Sequence, residues 1–306
     1  MNDAALAARR MWTLFEPVHV ISYFAAEARD AFVAAGLRGF WRGYFAGRAA
    51  PLGRVGPAPV IAAFCSFAPA MVTRALPAVW DLISPADALA AREAGAVAAL
   101  RRLLGLGPSE PASDEVGAAA RQLADAAADL DIVGRVLGAA NSALPVPDEP
   151  LARLFHAATV LREHRGDGHI AALVAADIDG CESVVLRVGV DLATGGGGHV
   201  APSASREWIQ PARGWTDAEW AAAATRLAAR GLVTDVGRDT SPATDDGIAL
   251  HRTIEEATDR AAARPWARLG TVRTTELAKL LAPVSAACAA ELPFPNPVGV
   301  PAPAAS

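Results

Sequence analysis

The sequence predicts a mainly α protein: a multi-helix chain with a winged-helix module (helix, hairpin, helix) in its second half. Three observations lead there. Hydrophobic residues are 52% and charged residues 20% of 306 positions, a globular balance too poor in charge for disorder. Helix-start signals recur along the whole chain. Extended signals are few, and the clearest, "GLVTDVGRDTS" from Gly231 to Ser241, reads as one short hairpin between two helices.

Taken in order, the opening "MNDAALAARRMW" has no basic-then-apolar leader pattern. Pro17 marks a helix start or a kink. The longest apolar run, "APVIAAFCSFAPAMV", is about 15 residues and is interrupted by Pro69, too short to cross a bilayer. A soluble cytoplasmic protein with no membrane partner is expected. Ser84-Pro85-Ala86-Asp87 supplies an N-cap, a first-position proline and a first-turn acid, so a helix should run to about Leu104 and stop at Gly105. Ser113-Asp114-Glu115 opens another. After the proline-rich hinge "LPVPDEP", "DEPLARLFHAATVLREH" is a helix that Gly166 can end, with Asp167 capping a new one. Gly195 to Gly198 reads as a loop. Thr216-Asp217-Ala218-Glu219 is a capping box whose helix ends at Gly231, and a long helix follows Thr244. This gives a helical N-terminal domain over residues 1–145, a helical domain with the winged helix over 146–290, and a proline-rich tail over 291–306.

Two resemblances follow from these residues. Arg230-Gly231-Leu232-Val233, with Thr240 and Gly247 after it, resembles the MarR-type winged helix over roughly residues 203–265. The whole chain resembles an actinobacterial helix-turn-helix family, through "EPVHVISYFAAEARDAF", "GLRGFWRGYFAGRAAPLG", "LREHRGDGH" and "PFPNPVG". The MarR resemblance implies a ligand-responsive regulator whose helix before "GLV" enters the major groove. The residues there argue the other way. That helix begins with Asp217 and Glu219, which would repel phosphates, and its Arg226 and Arg230 lie at the far end. On the wing, Arg238 is flanked by Asp235 and Asp239. The net charge of −5 adds no general pull towards nucleic acid.

Ionisable residues fall in three islands within apolar sequence. The first is "LREHRGDGHIAAL", where Arg162, Glu163, His164, Arg165, Asp167 and His169 crowd together, with His156 upstream. It reads either as a capped corner or as a metal, haem or acid/base site, with His164 and His169 as the metal candidates. The second is "FEPVHVISYF", where Glu16, His19 and Tyr23 share a helical face. It reads as a ligand-holding row or as a self-satisfied hydrogen-bond network. The third is "GLRGFWRGYFAGRAAPLG", where Arg42 and Arg48 alternate with aromatic rings on a stripe of glycines at 39, 43 and 47. It reads as an anion or ring site, or as tight helix packing. Cys65, Cys181 and Cys288 lack zinc spacing and read as buried small hydrophobes. No phosphate loop, nucleophile elbow or zincin motif is present.

The leading expectation is a small-molecule or cofactor-binding protein, with haem or a metal ion as cofactor candidates and catalysis left open. Its pocket between the two domains would be walled by Glu16, His19, Tyr23, Arg42, Arg48, His156, His164, Arg165, Asp167 and His169. The alternative is a MarR-like winged-helix transcriptional regulator, DNA-binding and ligand-responsive. A third reading is an interaction module, homodimeric through the helix after Thr244.

Overall fold

The computed structural model describes residues 3–196, 205–234 and 241–299. Five helices form the first stretch: α1 (Asp3–Phe24), α2 (Ala26–Ala34), α3 (Phe40–Ala49), α4 (Pro57–Ala63) and α5 (Pro69–Ala75). Then come α6 (Pro85–Leu103), α7 (Asp114–Ala127), α8 (Val136–Ser142), α9 (Pro150–Ala175) and α10 (Gly180–Thr194). The last five are α11 (Arg206–Arg213), α12 (Asp217–Ala229), α13 (Asp245–Ala261), α14 (Arg264–Leu269) and α15 (Thr271–Ala289). The mainly helical expectation therefore holds.

The capping signals act as the sequence suggests. Ser84 accepts the amide of Asp87 at 3.0 Å, and Ser113 that of Val116 at 3.3 Å. Thr216 and Glu219 bond each other's amides at 3.2 and 2.9 Å and start α12. Pro17 neither starts nor ends a helix; α1 runs through it.

The expected corner at Gly166 is absent: α9 is one helix of 26 residues. Of its two glycines, Gly168 serves packing. A Cβ at Gly168 would lie 2.1 Å from a guanidinium nitrogen of Arg135. That guanidinium instead donates to the carbonyls of His164 and Ala261 at 2.8 and 2.9 Å. Asp167 is still a cap, but of another helix: its Oδ2 accepts the Gly138 amide of α8 at 2.8 Å. The glycine stripe of α3 likewise serves packing, because Cβ atoms at Gly43 and Gly47 would lie 2.9 and 2.7 Å from the Phe32 ring.

The expected hairpin appears only as one antiparallel bridge, Val233 with Ala243; no strand occurs among the described residues. Its tip, with Asp235, Arg238, Asp239 and Thr240, lies outside the described residues, as do Gly197, Gly198, His199 and the tail beyond Gly299. Gly247 has a clear role: a Cβ there would lie 2.0 Å from the Leu232 carbonyl oxygen, so α13 can start against the bridge only with glycine.

Three apolar cores result. One joins α1, α6, α7, α9 and α15 around Phe15, Leu123 and Leu281. A second gathers Phe32, Phe45, Phe64, Phe67 and Trp80 from the α2–α6 region. The third holds α10, α12 and α13 around Leu186, Trp220, Leu227 and Ile254, and reaches Leu173 of α9. α9 packs against α1, α6, α7, α8 and α13.

Candidate functional site

A cavity of about 260 Å³ opens where these layers meet. α9 supplies its floor, through Arg162, Glu163, Arg165, Asp167 and His169. At about 100° per residue these side chains fan over roughly 200° of one unbroken helix. α1 adds Arg9, Trp12 and Glu16 at i, i+3 and i+7, and α3 adds Tyr44 and Arg48 at i and i+4. Opposite stand α10, α11 and α13, with Arg187, Arg213 and Glu255 among their contributions, and Pro297 to Gly299 of the tail.

The polar wall is mostly self-neutralising. The Arg48 fork grips Glu163, Nε at 3.0 Å and Nη2 at 2.9 Å. Arg162 bonds the same carboxylate at 2.8 Å and reaches Glu16 at 3.2 Å. Trp12 also donates to Glu16, at 3.0 Å. Burial pushes the Glu163 pKa upward, but Arg162 and Arg48 outweigh it and hold the carboxyl well below its usual range. On the other side Asp259 accepts from Arg9 at 2.9 Å and Arg165 at 3.0 Å. Glu255 pairs with Arg9 at 2.7 Å, and Arg187 with Asp191 at 3.5 Å. Burial raises Asp167 to about 6.

Of the ten expected site residues, Glu16, Arg48, Arg165, Asp167 and His169 meet in this cavity. The others lie elsewhere. His19 is buried and lines neither cavity, bonded to Thr159 at 2.9 Å and to Tyr23 at 2.5 Å. Tyr23 borders a second cavity of about 170 Å³. Arg42 is exposed. His156 is half-buried and lines neither cavity. His164 faces the loop before α8, its Nε2 at 3.0 Å from the Asp131 carbonyl. His169 bonds Thr258 at 3.0 Å. Because α9 does not break, His164 and His169 sit about 140° apart around it. They cannot grip one metal ion, which corrects the metal-pair expectation. Among the described residues no group of three or more His, Cys, Asp or Glu is arranged to hold a metal.

Arg9, Trp12, Arg187, Arg213 and Glu255 were not anticipated. For α1 the signal was present: Arg9, Trp12, Glu16, His19 and Tyr23 continue one face, of which the sequence reading took only the part from Glu16 onward.

A family described as a helix-turn-helix family matches residues 8–295. The chain belongs to this helix-turn-helix family. No curated protein and no solved structure matches it. No helix among the described residues is long and apolar enough to cross a membrane.

α11 and α12 are joined by a three-residue turn, Gly214 to Thr216. Gly214, at φ 77°, turns the chain after α11, and Thr216 caps α12. Met71 closes on that turn, leaving no room for a Cβ at Gly214. The outer face of α12 exposes Asp217, Glu219, Ala221, Ala222, Thr225, Arg226 and Arg230. Its two arginines are tied down. Arg226 pairs with Asp179 and, at 2.7 Å, with Glu182. Arg230 donates to the carbonyls of Asp177 and, at 3.0 Å, Ala176.

Proposed function

We propose that the protein is a ligand-responsive helix-turn-helix regulator: a small molecule held in the cavity bears on the α11–α12 unit, which reads DNA. One observation carries this reading. The cavity wall is shared between α1, α3 and α9 on one side and α10, α11 and α13 on the other, so an occupant touches both the scaffold and the helices that hold α12. Family membership supports the DNA half. A MarR-type winged helix is the finer form of the reading. It is supported by the order α12, Val233–Ala243 bridge, α13, and by the fit of Gly247 under Leu232. The division near residue 145 belongs to the same proposal. So does a homodimer, since two copies of such a unit read two half-sites. Metal, haem and catalysis form no part of it.

A second reading has its own support. With carboxylates at the start of α12 and Arg226 and Arg230 neutralised or bonded inward, the recognition helix offers no spare cation to phosphates. On that reading the cavity serves a ligand-binding protein that makes no DNA contact. A gel shift with DNA from upstream of the protein's own gene, run at 50 and 200 mM salt, separates the two. A retarded species that weakens with salt and resists unrelated competitor DNA supports the regulator. No retardation at 50 mM salt up to micromolar protein leaves the ligand-binding protein.

A further inference from the structure

Six arginines line the cavity: Arg9, Arg48, Arg162, Arg165, Arg187 and Arg213. Five have carboxylates. Arg48 and Arg162 share Glu163 and Glu16; Arg9 and Arg165 share Glu255 and Asp259; Arg187 has Asp191. Arg213 has none. Its guanidinium lies 4.3 Å from the centre of the Phe67 ring and donates to the Pro297 carbonyl at 3.0 Å, and no described carboxylate pairs with it. The Tyr44 hydroxyl stands beside it while accepting from Arg48 at 2.9 Å. Asp167, the remaining acid of the wall, is turned to the start of α8. Arg213 is half-buried, and a cation partly withdrawn from water without a counter-charge is disfavoured; a carbonyl meets its hydrogen-bonding capacity without meeting its charge.

We infer that Arg213, with Tyr44 and the rings of Phe64 and Phe67, forms a recognition site for the carboxylate of a small organic monoacid. The inference rests on the cavity being a ligand site, as proposed above. One unmatched positive charge calls for one negative charge. A second charge, as on a phosphate dianion, would meet only Glu163 and Asp167. The planar fork of arginine suits a carboxylate, and the two phenyl rings offer an apolar seat for the body of the acid. The volume, just under the roughly 300 Å³ at which ligand pockets begin, limits the ligand to a small one. Arg213 is the last residue of α11, immediately before the turn into α12. An anion that draws Arg213 from Pro297 therefore acts on the helix-turn-helix unit and on the tail together.

The test is titration calorimetry of the full chain with benzoate, hexanoate, benzamide and inorganic phosphate, on wild type and Arg213→Met. Expected are saturable binding of both carboxylates, at least tenfold weaker binding of benzamide and phosphate, and at least tenfold loss of carboxylate affinity in R213M. The ligand-free melting temperature of R213M should equal or exceed that of wild type, because the substitution removes an unpaired charge and keeps a long apolar stem over Phe67. Unchanged benzoate affinity in R213M, or phosphate binding as tightly as the carboxylates, overturns the proposal. Equal binding of benzamide and benzoate overturns it while leaving the cavity as a ligand site. No binding of any probe overturns the proposal and removes support for the cavity. Should R213M not fold, Tyr44→Phe takes its place: a fivefold or greater loss of benzoate affinity supports the site, and an unchanged affinity refutes it. None of these outcomes depends on the gel shift, so either claim can fail alone.

Discussion

Glu163 is the most heavily committed side chain of the site. It neutralises two buried arginines at once, and removing its charge would leave Arg48 and Arg162 with only Glu16 between them. Breaking one partner out of a buried pair costs about 3–5 kcal/mol. Glu163→Gln should therefore lower stability by about that much in a urea melt; a loss under 1 kcal/mol would show that the network is solvated. Histidines add a pH dependence. Burial lowers His156 and His164 to about 4, and also lowers His19 and His169. Each holds fewer protons in the fold than in the unfolded chain between its lowered value and 6.5. Their contribution is therefore intact above pH 6.5 and is lost as pH falls through that window, at no more than about 1.4 kcal/mol per pH unit for the buried His164 and less for the more exposed His169. Asp167, raised to about 6, works in the opposite sense between 3.8 and 6. Four imidazoles against one carboxyl predict a melting temperature that falls from pH 7 to pH 4.5. His164→Gln, which can still donate to the Asp131 carbonyl, should flatten that fall. At this scale the sequence was partly legible. Ionisable residues amid alanine and valine announced Glu16, Arg48, Arg165, Asp167 and His169. Nothing local marked Arg213, because an arginine in the last turn of a helix is ordinary.

The length of α9 decides which of those residues meet. "HRGDGH" suggested a corner because glycine followed by aspartate is a common end-and-restart signal. In the fold, Gly168 is spent on close approach instead, where Arg135 crosses, and α8 leans on His164 through its own Gly138. Tertiary packing outweighed the local signal, and it turned His164 away from His169. The two glycines of α9 should then respond oppositely to alanine. At Gly166 a Cβ meets only a Glu163 oxygen at 3.9 Å, an ordinary contact, so Gly166→Ala should stabilise by about 0.5–1 kcal/mol through helix propensity. At Gly168 the methyl displaces Arg135 from two carbonyls, so Gly168→Ala should destabilise by about 1–3 kcal/mol despite the same propensity gain. Matched chemical-denaturation curves check both. A stabilised G168A would show that Arg135 does not cross there, and a clearly destabilised G166A would place a break at Gly166. Capped elements were read far better. At α6, α7 and α12 the signal is a side chain bonding its own backbone three residues on, which no distant contact needs to complete.

For the whole molecule, the cavity exists because distant parts of the chain converge. α1 packs on α15, the tail returns to the cavity wall through Pro297, and Arg213 reaches the Phe67 ring after α4. No spacing rule links Tyr44 to Arg213, so the convergence was not legible, although its ingredients were. This placement carries a last prediction. If an acid in the cavity and DNA on the α11–α12 unit both act through Arg213, their affinities are linked thermodynamically. The factor by which saturating benzoate changes the dissociation constant for DNA must equal the factor by which DNA changes that for benzoate. Couplings of this kind commonly amount to about 5–150-fold, and a value in that range is expected here. Arg213→Met should bring the factor close to one while ligand-free DNA affinity stays within about threefold, since Arg213 lies in the cavity wall and not on the outer face of α12. Fluorescence anisotropy on labelled upstream DNA, with and without benzoate, measures the first factor, and calorimetry with and without DNA measures the second. A wild-type factor of one would mean that cavity and unit share a wall without sharing a function: the Arg213–Pro297 contact would then only fasten the tail, and a ligand could come and go without α12 registering it.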